Sequence, residues 1–191
     1  MDQYFYVKSK QIILYGKLIE MDYIYRYNSP IGFMTMASNG ISLTGLWLDG
    51  QRYFAGTLSK SYEEKLLPVF EDTIRWLDTY FSGEIPDFMP ELCLQSTPFR
   101  KAVWDILLTI PYGQTMSYGE IADILAQQTG KKKMSAQVVG GAVGHNPVSI
   151  IIPCHRVVGA DGGLTGYAGG IDRKKFLLEL EGNKTGRNNC G

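Results

Sequence analysis

The spacing of apolar positions divides the chain into a strand-rich first half and a helix-rich second half. Short runs of β-branched and aromatic residues at 23–27, 33–37 and 41–48 are separated by turns that contain Asn, Ser, Pro or Gly. This pattern is typical of antiparallel strands that follow one another in a meander. Apolar residues at helical spacing then predict a helix over residues 62–81, which should end at the following Ser-Gly pair.

The second half carries clear signals for the start of helices. Thr97 followed by Pro98 predicts a helix with Thr97 as the N-cap and Pro98 at the first helical position. The residues that share its predicted apolar stripe are Val103, Trp104, Leu107 and Leu108. The Pro-Tyr-Gly sequence at 111–113 should end this helix.

Two further short helices follow in close succession. Ser117 with Glu120 three residues later is a capping-box pattern, which predicts a helix over 118–127. Ser135 begins another predicted helix that runs to residue 143, after a turn with Gly130 and the lysines 131–133. Two short helices joined by a Gly-containing turn predict a helix-turn-helix.

The rest of the chain completes the predicted organisation. Residues 150–152 are three isoleucines, which predict a buried strand, and a Gly-rich loop over 159–170 leads to a last helix over 173–181. We expect an α+β fold: a small antiparallel sheet with a helix, followed by a mainly helical domain. The predicted parts are an N-terminal extension (1–20), an N-terminal α/β domain (21–83), a linker (84–96), a second domain (97–182) and a flexible tail (183–191).

Composition narrows the class of protein. The 191 residues are 45% apolar and 20% charged, which is ordinary for a globular protein and unlike a disordered or fibrous chain. We expect no membrane span and no secretory signal, because apolar runs are short and the first residues mix acids and lysines with tyrosines. The net charge of zero combines an acidic front half, with 8 Lys and Arg against 12 Asp and Glu in residues 1–96, and a basic back half with 11 against 7.

The cysteines and histidines exclude two kinds of site. The three cysteines, Cys93, Cys154 and Cys190, are odd in number and far apart, so a disulfide framework is not expected. With two histidines and no Cys-x-x-Cys pair, we expect no structural zinc site. A reducing compartment follows, and we expect a cytoplasmic monomer that uses no metal.

One segment has the composition of a reactive site. Cys154 lies between Pro153 and His155, and Arg156 follows directly. A histidine and a cation near a thiol favour the thiolate, which is the nucleophilic form. In a strand, however, adjacent side chains point to opposite faces, so His155 would reach Cys154 only through a turn or a bridging water. Spacing alone leaves both a reactive thiol and a core cysteine open.

The same segment resembles the O6-alkylguanine-DNA alkyltransferase family, also called methylated-DNA–protein-cysteine methyltransferases. The resemblance rests on the motif 153–157, on Gly-Tyr-Ala-Gly-Gly at 166–170 and on Leu-Leu-Glu-Leu-Glu-Gly at 177–182. It continues through Thr-Pro-Phe at 97–99, Ile-Pro-Tyr-Gly at 110–113 and Asn-Pro at 146–147. The match covers residues 97–182 in order, and a looser one to the family's smaller N-terminal domain covers 21–90.

The resemblance implies direct DNA repair without a cofactor. A base carrying an O6-alkyl group is flipped out of double-stranded DNA, and the thiolate of Cys154 takes the alkyl group and is consumed. His155 matches the base that receives the thiol proton through a water, and Glu181 matches the carboxylate that orients the histidine. Tyr118 matches a proton donor to the guanine ring, and Asn146 matches the residue that ties the preceding turn to the site. The resemblance implies activity on O6-methylguanine and leaves activity on O4-methylthymine open.

The resemblance also implies contacts to the DNA and to the flipped base. The residues implied in DNA binding are Ser117, Tyr118, Ser135, Gln137 and Gly140. The residues implied in the base pocket are Val157, Tyr167, Ala168 and Gly169.

This chain departs from the family pattern at two positions. Gln137 stands where the family usually has an arginine that fills the gap left by the flipped base, and glutamine lacks the charge and stacking of a guanidinium. Ala168 stands where some members have a serine that can donate to the O6 atom. The lysines 131–133 can offset the missing arginine through phosphate contacts.

Three alternatives remain open on the sequence. One is a relative that binds alkylated guanine without repairing it, although such proteins lack the cysteine. Another is a helix-turn-helix regulator in which the thiol is structural. The third is a cysteine hydrolase, which would turn over many substrate molecules.

Overall fold

The computed structural model describes residues 11–14 and 17–182, and side chains from residue 21 onward. The predicted tail 183–191 lies outside the described residues. Of the predicted N-terminal extension, residues 1–20, only residues 11–14 and 17–20 are described. Strands β1 (Gln11–Leu14) and β2 (Lys17–Glu20) pair in an antiparallel hairpin.

A four-stranded sheet forms the first half. Its strands are β3 (Asp22–Ser29), β4 (Gly32–Ser38), β5 (Leu43–Leu48) and β6 (Tyr62–Glu64). The strand order is β5-β4-β3-β6, with antiparallel pairs except for the parallel β3–β6 pair. The predicted meander of three strands is confirmed, and β6 was not predicted.

The helix of the first half is shorter than predicted. Helix α1 spans Pro68–Phe81, whereas the periodicity predicted a start at residue 62. Pro68 occupies the first turn, where its missing N–H costs nothing, and it forces the preceding residue, Leu67, into an extended conformation. Residues 62–64 therefore remain free to extend the sheet. The predicted end at the Ser-Gly pair is confirmed, since Ser82 is the C-cap and Gly83 has a φ of +86°.

Three helices of the second half have the caps that the sequence predicts. Helix α2 (Pro98–Leu108) is capped by Thr97, helix α3 (Tyr118–Gln128) by a complete capping box, and helix α4 (Ala136–Gly144) by Ser135. Helix α4 packs against both α2 and α3. Leu108 was assigned to the buried stripe of α2, but its side chain is exposed and Ile106 is buried in its place.

The segment before Cys154 is not the strand that its three isoleucines predicted. Residues 150–152 are buried, but they form a tight turn in which Ile150 has a φ of +71°. The Asn146 side chain organises this turn, because its Oδ1 accepts from the Val148 amide and its Nδ2 donates to the Ile152 carbonyl. Cys154 then opens a short 3₁₀ turn, Cys154–Arg156. Side-chain hydrogen bonding has here overridden the β propensity of isoleucine.

Short strands and a final helix frame the Gly-rich loop. Strand β7 (Met116–Ser117) pairs in parallel with β8 (Val157–Val158), which follows the 3₁₀ turn directly. After the loop, helix α5 (Ile171–Leu180) ends with Glu181 as its C-cap.

The edge of the sheet joins the two halves. The amide of Leu46 in β5 donates to the Pro147 carbonyl, and the Ser149 amide donates back to Leu46. Leu43 pairs in the same way with residues 91–93 of the predicted linker. One continuous hydrophobic core contains side chains from both halves. The turn that precedes Cys154 is therefore held by the sheet as well as by its own domain.

Candidate active site

Cys154 lies at the start of the 3₁₀ turn, with only 4% of its surface exposed. Its Sγ accepts a hydrogen bond from Asn146 Nδ2 at 3.1 Å. Burial raises the pKa of the thiol, and this outweighs the lowering effects of the Asn146 hydrogen bond and of the Lys174 charge. The sequence had suggested that Arg156 would favour the thiolate, but the resting group is a neutral thiol.

His155 is completely buried beside Cys154 in the chain and contacts Glu181 rather than the sulfur. The His155 Nε2 lies 2.7 Å from Glu181 Oε1. A carboxylate only accepts, so Nε2 carries the proton and Nδ1 is left as an acceptor. This Nδ1 is buried without a hydrogen-bond partner among the described residues. Burial lowers the pKa of His155, against the raising effect of Glu181, so the ring is neutral at rest.

The Glu181 carboxylate is the centre of a buried hydrogen-bond network. Its Oε1 accepts from His155 Nε2 at 2.7 Å, from the Tyr80 hydroxyl at 2.7 Å and from Arg156 Nη2 at 3.0 Å. Its Oε2 accepts from Arg156 Nε at 2.9 Å and from the Gly113 amide at 3.1 Å. Burial alone would raise the pKa of Glu181, but the hydrogen bonds from His155 and Arg156 lower it to about 2.

Three members of this network were not identified from the sequence as site residues. Tyr80 fits the apolar stripe of α1 and gives no separate signal. Arg156 belongs to the cysteine motif, yet its guanidinium binds Glu181 and the Ile110 carbonyl rather than facing the thiol. Gly113 has a φ of +75°, and a Cβ there would lie 2.9 Å from the Glu181 carbonyl oxygen. Its place in a helix-ending turn indicated the φ value but not this close approach.

Lys174 is a fourth residue that the sequence did not reveal. It lies on α5 between two other basic residues, a run that normally indicates a solvated face, but its side chain is fully buried. Its ammonium donates to the Val157 carbonyl and to the Thr165 carbonyl. Burial lowers its pKa to about 8, against the raising effect of Cys154. Lys174 thus joins β8 to the Gly-rich loop next to the thiol.

A cavity of about 520 Å³ is lined by residues of the turn after β5, of α3 and α4, and of the Gly-rich loop. Tyr118 lines it, and its hydroxyl donates to the carbonyls of Thr165 and Gly166 at 3.1 and 3.0 Å. Burial, with a further contribution from Cys154, raises the pKa of Tyr118. The other residues that line the cavity are Arg52, Tyr53, Ala136, Gln137, Gly140, Gly141, Gly144, Thr165, Gly166, Tyr167 and Ala168.

Five of the thirteen sequence-predicted site residues line this cavity. They are Tyr118 of α3, Gln137 and Gly140 of α4, and the loop residues Tyr167 and Ala168, and Gly140 lies against the Tyr118 ring. Cys154, His155, Asn146 and Glu181 form the buried cluster described above and do not line the cavity, and neither do the remaining four. Ser117 and Ser135 cap α3 and α4, Val157 is buried in β8, and the Gly169 carbonyl accepts from Arg173.

No group of three or more acidic, histidine or cysteine side chains that could hold a metal ion occurs in the described residues. No helix in that part of the chain is long and apolar enough to cross a membrane.

Comparison with known proteins identifies the family of the chain. The family model of the 6-O-methylguanine DNA methyltransferase DNA binding domain matches residues 98–183, and that of the ribonuclease-like domain matches residues 23–92. A methylated-DNA–protein-cysteine methyltransferase of Mycobacterium tuberculosis is 48% identical over 154 residues, which cover 81% of this chain and 88% of the relative. One from Methanosarcina acetivorans is 42% identical over 82% of this chain and 96% of its own length.

Solved structures show the same fold. The crystal structure of Mycobacterium tuberculosis OGT in complex with DNA superposes with a TM-score of 0.71 at 46% identity, covering 84% of this chain and 92% of that one. The O6-methylguanine-DNA methyltransferase from Pyrococcus kodakaraensis gives 0.59 at 28% identity, covering 85% and 99%. Two family models that together span most of the chain, and relatives that match over most of their length, lead to one conclusion: the chain belongs to the 6-O-methylguanine DNA methyltransferase family.

Proposed function

We propose that this protein repairs O6-alkylguanine in double-stranded DNA by transferring the alkyl group irreversibly to Cys154. Methyl transfer from DNA to a protein cysteine is the activity named for its relatives. The observation that carries the residue-level proposal is the buried Asn146–Cys154 contact with the His155–Glu181 pair directly beside it. Tyr118 and Tyr167 line the cavity of about 520 Å³ and lie near enough to Cys154 for its charge to contribute to their raised pKa.

The first step forms the nucleophile. Cys154 and His155 are both neutral at rest, because burial raises the pKa of the thiol and lowers the pKa of the imidazole. The thiol proton passes through a bridging water to His155 Nδ1, and the imidazolium is stabilised by the Glu181 carboxylate at 2.7 Å. Asn146 Nδ2 and the nearby charge of Lys174 stabilise the thiolate. The thiolate of Cys154 and the imidazolium of His155 are therefore present together only after this proton transfer.

The second step transfers the alkyl group. The sulfur attacks the alkyl carbon in line, the S–C bond forms, and the C–O6 bond breaks with its electron pair going to O6. The guanine anion takes a proton from Tyr118, which lines the cavity, and the phenolate is reprotonated by the His155 imidazolium through solvent, so that all three groups end neutral. The product on Cys154 is a thioether, which has no acidic S–H and is not readily broken, so each molecule reacts once.

The base reaches the cavity by flipping out of the duplex, which costs a few kcal/mol. Helices α3 and α4 form the helix-turn-helix, and Gln137 at the start of α4 lines the cavity at the position where the extruded base would pass. Ser117, Ser135 and Gly140 belong to the same surface in this proposal. Val157, Tyr167, Ala168 and Gly169 form or support the wall of the base pocket.

We also propose that the protein works as a monomer in the cytoplasm, without a cofactor. Cys93 and Cys154 are both free thiols in the described part of the chain. A nucleophile that must remain reduced until it meets its lesion requires a reducing compartment.

The test is incubation with a duplex that carries one O6-methylguanine with a labelled methyl group. Transfer should saturate at about one methyl per protein molecule, with the label on the peptide that contains Cys154, because the thioether ends the reaction. Cys154→Ser should abolish transfer and retain duplex binding, whereas Cys93→Ser should transfer normally. Binding of the lesion without transfer, or repeated turnover of an ester substrate, would contradict the proposal.

A further inference from the structure

A stack of side chains from both halves of the chain stands at the rim of the cavity. The ring of Tyr53, in the turn after β5, lies on the ring of His145 with centroids 3.8 Å apart and an angle of 23° between them. The guanidinium carbon of Arg52 lies 4.9 Å from the centre of the Tyr53 ring. Arg52 and Tyr53 both line the cavity, and both are exposed to solvent. None of the family-derived site residues lies in this turn.

The turn is fixed against the candidate active site at several points. The Arg52 amide donates to the Ala168 carbonyl at 2.9 Å. The buried Gln51 side chain accepts from the Leu48 amide and from the Ser149 hydroxyl. Tyr53 has a φ of +62°, which is costly for a residue with a Cβ and persists only where neighbouring contacts hold it. The position of Arg52 at the rim is thus set by the fold.

Charge distinguishes Arg52 from its neighbours. It is the only charged residue among the described residues that line the cavity, the others being aromatic, small or neutral polar. No carboxylate in the described part of the chain forms an ion pair with it. An exposed guanidinium on an aromatic ring keeps its donors available for a phosphate, which it can bind in a bidentate manner.

We propose that Arg52 binds a DNA phosphate next to the extruded nucleotide, so that the N-terminal half contributes directly to DNA binding. A base that fills the cavity is joined to its flanking phosphates through one sugar, which leaves those phosphates at the rim where Arg52 lies. This contact supplies a cation that the neutral Gln137 does not provide. The proposal rests on the proposed function, because it assumes that a nucleotide enters the cavity.

The experiment measures, in a Cys154→Ser background that binds without transfer, the affinity for a duplex carrying one O6-methylguanine at several salt concentrations. Removing one phosphate contact should flatten the dependence of log K on log salt by roughly 0.9. The ratio of the wild-type affinity to the Arg52→Gln affinity should then fall about threefold between about 50 and 200 mM salt. Arg52→Lys keeps the charge and should retain the wild-type slope.

The matched control is Arg75→Gln. Arg75 also lies over an aromatic ring, Phe88, but it belongs to α1, pairs with Asp72 and does not line the cavity. Its removal deletes the same charge and should leave the salt slope unchanged. Equal flattening in both variants would mean that only net charge matters, and the proposal would be wrong.

A second readout separates a phosphate contact from a change in the cavity wall. Transfer from the lesion in a duplex should fall more in Arg52→Gln than transfer from the free O6-methylguanine base, which has no phosphate. An unchanged salt slope, or an equal loss on both substrates, would overturn the assignment. If the wild type transfers no methyl group at all, the proposed function fails, while the salt slope on the lesion-bearing duplex still decides whether Arg52 contacts phosphate.

Discussion

Replacing Glu181 with glutamine tests the buried network at its centre. Five donors converge on the two carboxylate oxygens: three on Oε1 and two on Oε2. An isosteric amide has one oxygen and one NH₂ group. In either orientation, Glu181→Gln therefore places an N–H donor against at least two other donors.

We expect Glu181→Gln to lower the stability substantially while the protein still folds. The pKa of Glu181 is lowered from 4.5 to about 2, and this shift corresponds to about 3 kcal/mol of stability near neutral pH. Because the pKa is lower in the folded state, this stability is fully present above pH 4.5 and is lost as the pH falls through 2. Leaving the partly buried Arg156 without its partner adds to the loss, so we expect about 3–5 kcal/mol for the substitution at pH 7.

The effect on the reaction has a separate physical cause. The imidazolium of His155, which forms when the thiol loses its proton, would face a neutral amide instead of a carboxylate. A hydrogen bond to a charged group contributes about 1.5–3 kcal/mol, and its loss in the transition state corresponds to a transfer rate roughly 10- to 150-fold lower.

The assay combines urea unfolding with single-turnover transfer of labelled methyl at a temperature where the variant is folded. Glu179→Gln is the matched control, because Glu179 lies two residues earlier, is half exposed and pairs with Lys175 at 3.8 Å. Its substitution should change stability by less than about 1 kcal/mol and leave the rate unchanged. A folded Glu181→Gln protein that transfers at the wild-type rate would refute a role for this carboxylate in proton transfer.

Three further predictions concern the thiol, the turn and the helix-turn-helix. Asn146→Asp should place a negative charge 3.1 Å from the sulfur of Cys154; the transfer rate against pH should shift to higher pH, and an unshifted profile would exclude the contact from the mechanism. Gly113→Ala should destabilise more than Gly130→Ala in thermal unfolding, because both have positive φ but only a Cβ at 113 meets a carbonyl oxygen, at 2.9 Å; equal losses would mean that backbone conformation alone decides. Gln137→Arg should raise duplex affinity, steepen its salt dependence by roughly 0.9 and favour duplex repair over the free base; rates that move together on both substrates would contradict a role in base extrusion.

The sequence predicted best where a local rule decides the structure. The caps at Thr97, Ser117 and Ser135 were each placed correctly, because a side-chain oxygen near the first free amides is a short-range effect. It failed at residues 150–152, where apolar composition predicted a strand and the Asn146 side chain enforces a turn. That interaction depends on the exact path of the backbone, which periodicity does not encode.

In the candidate site, too, local motifs were predicted from the sequence and tertiary contacts were not. The cysteine motif indicated a reactive thiol, but no pattern showed that Tyr80, 101 residues from Glu181, would donate to its carboxylate. Lys174 lies in a basic run and gave no sign of burial. Such groups are brought together by tertiary packing, and their spacing along the chain carries no information about it.

Because β5 pairs with the turn before Cys154, part of the sheet edge stays unpaired while the chain is being synthesised. Leu46 exchanges hydrogen bonds with Pro147 and Ser149, which leave the ribosome about 100 residues later, or roughly 5–20 s at ordinary elongation rates. During that interval this edge of the sheet has no native partner at Leu46, and an unpaired edge invites association with other chains. A nascent or truncated chain that ends before residue 147 should therefore aggregate more readily than the full protein, even though its sheet is complete.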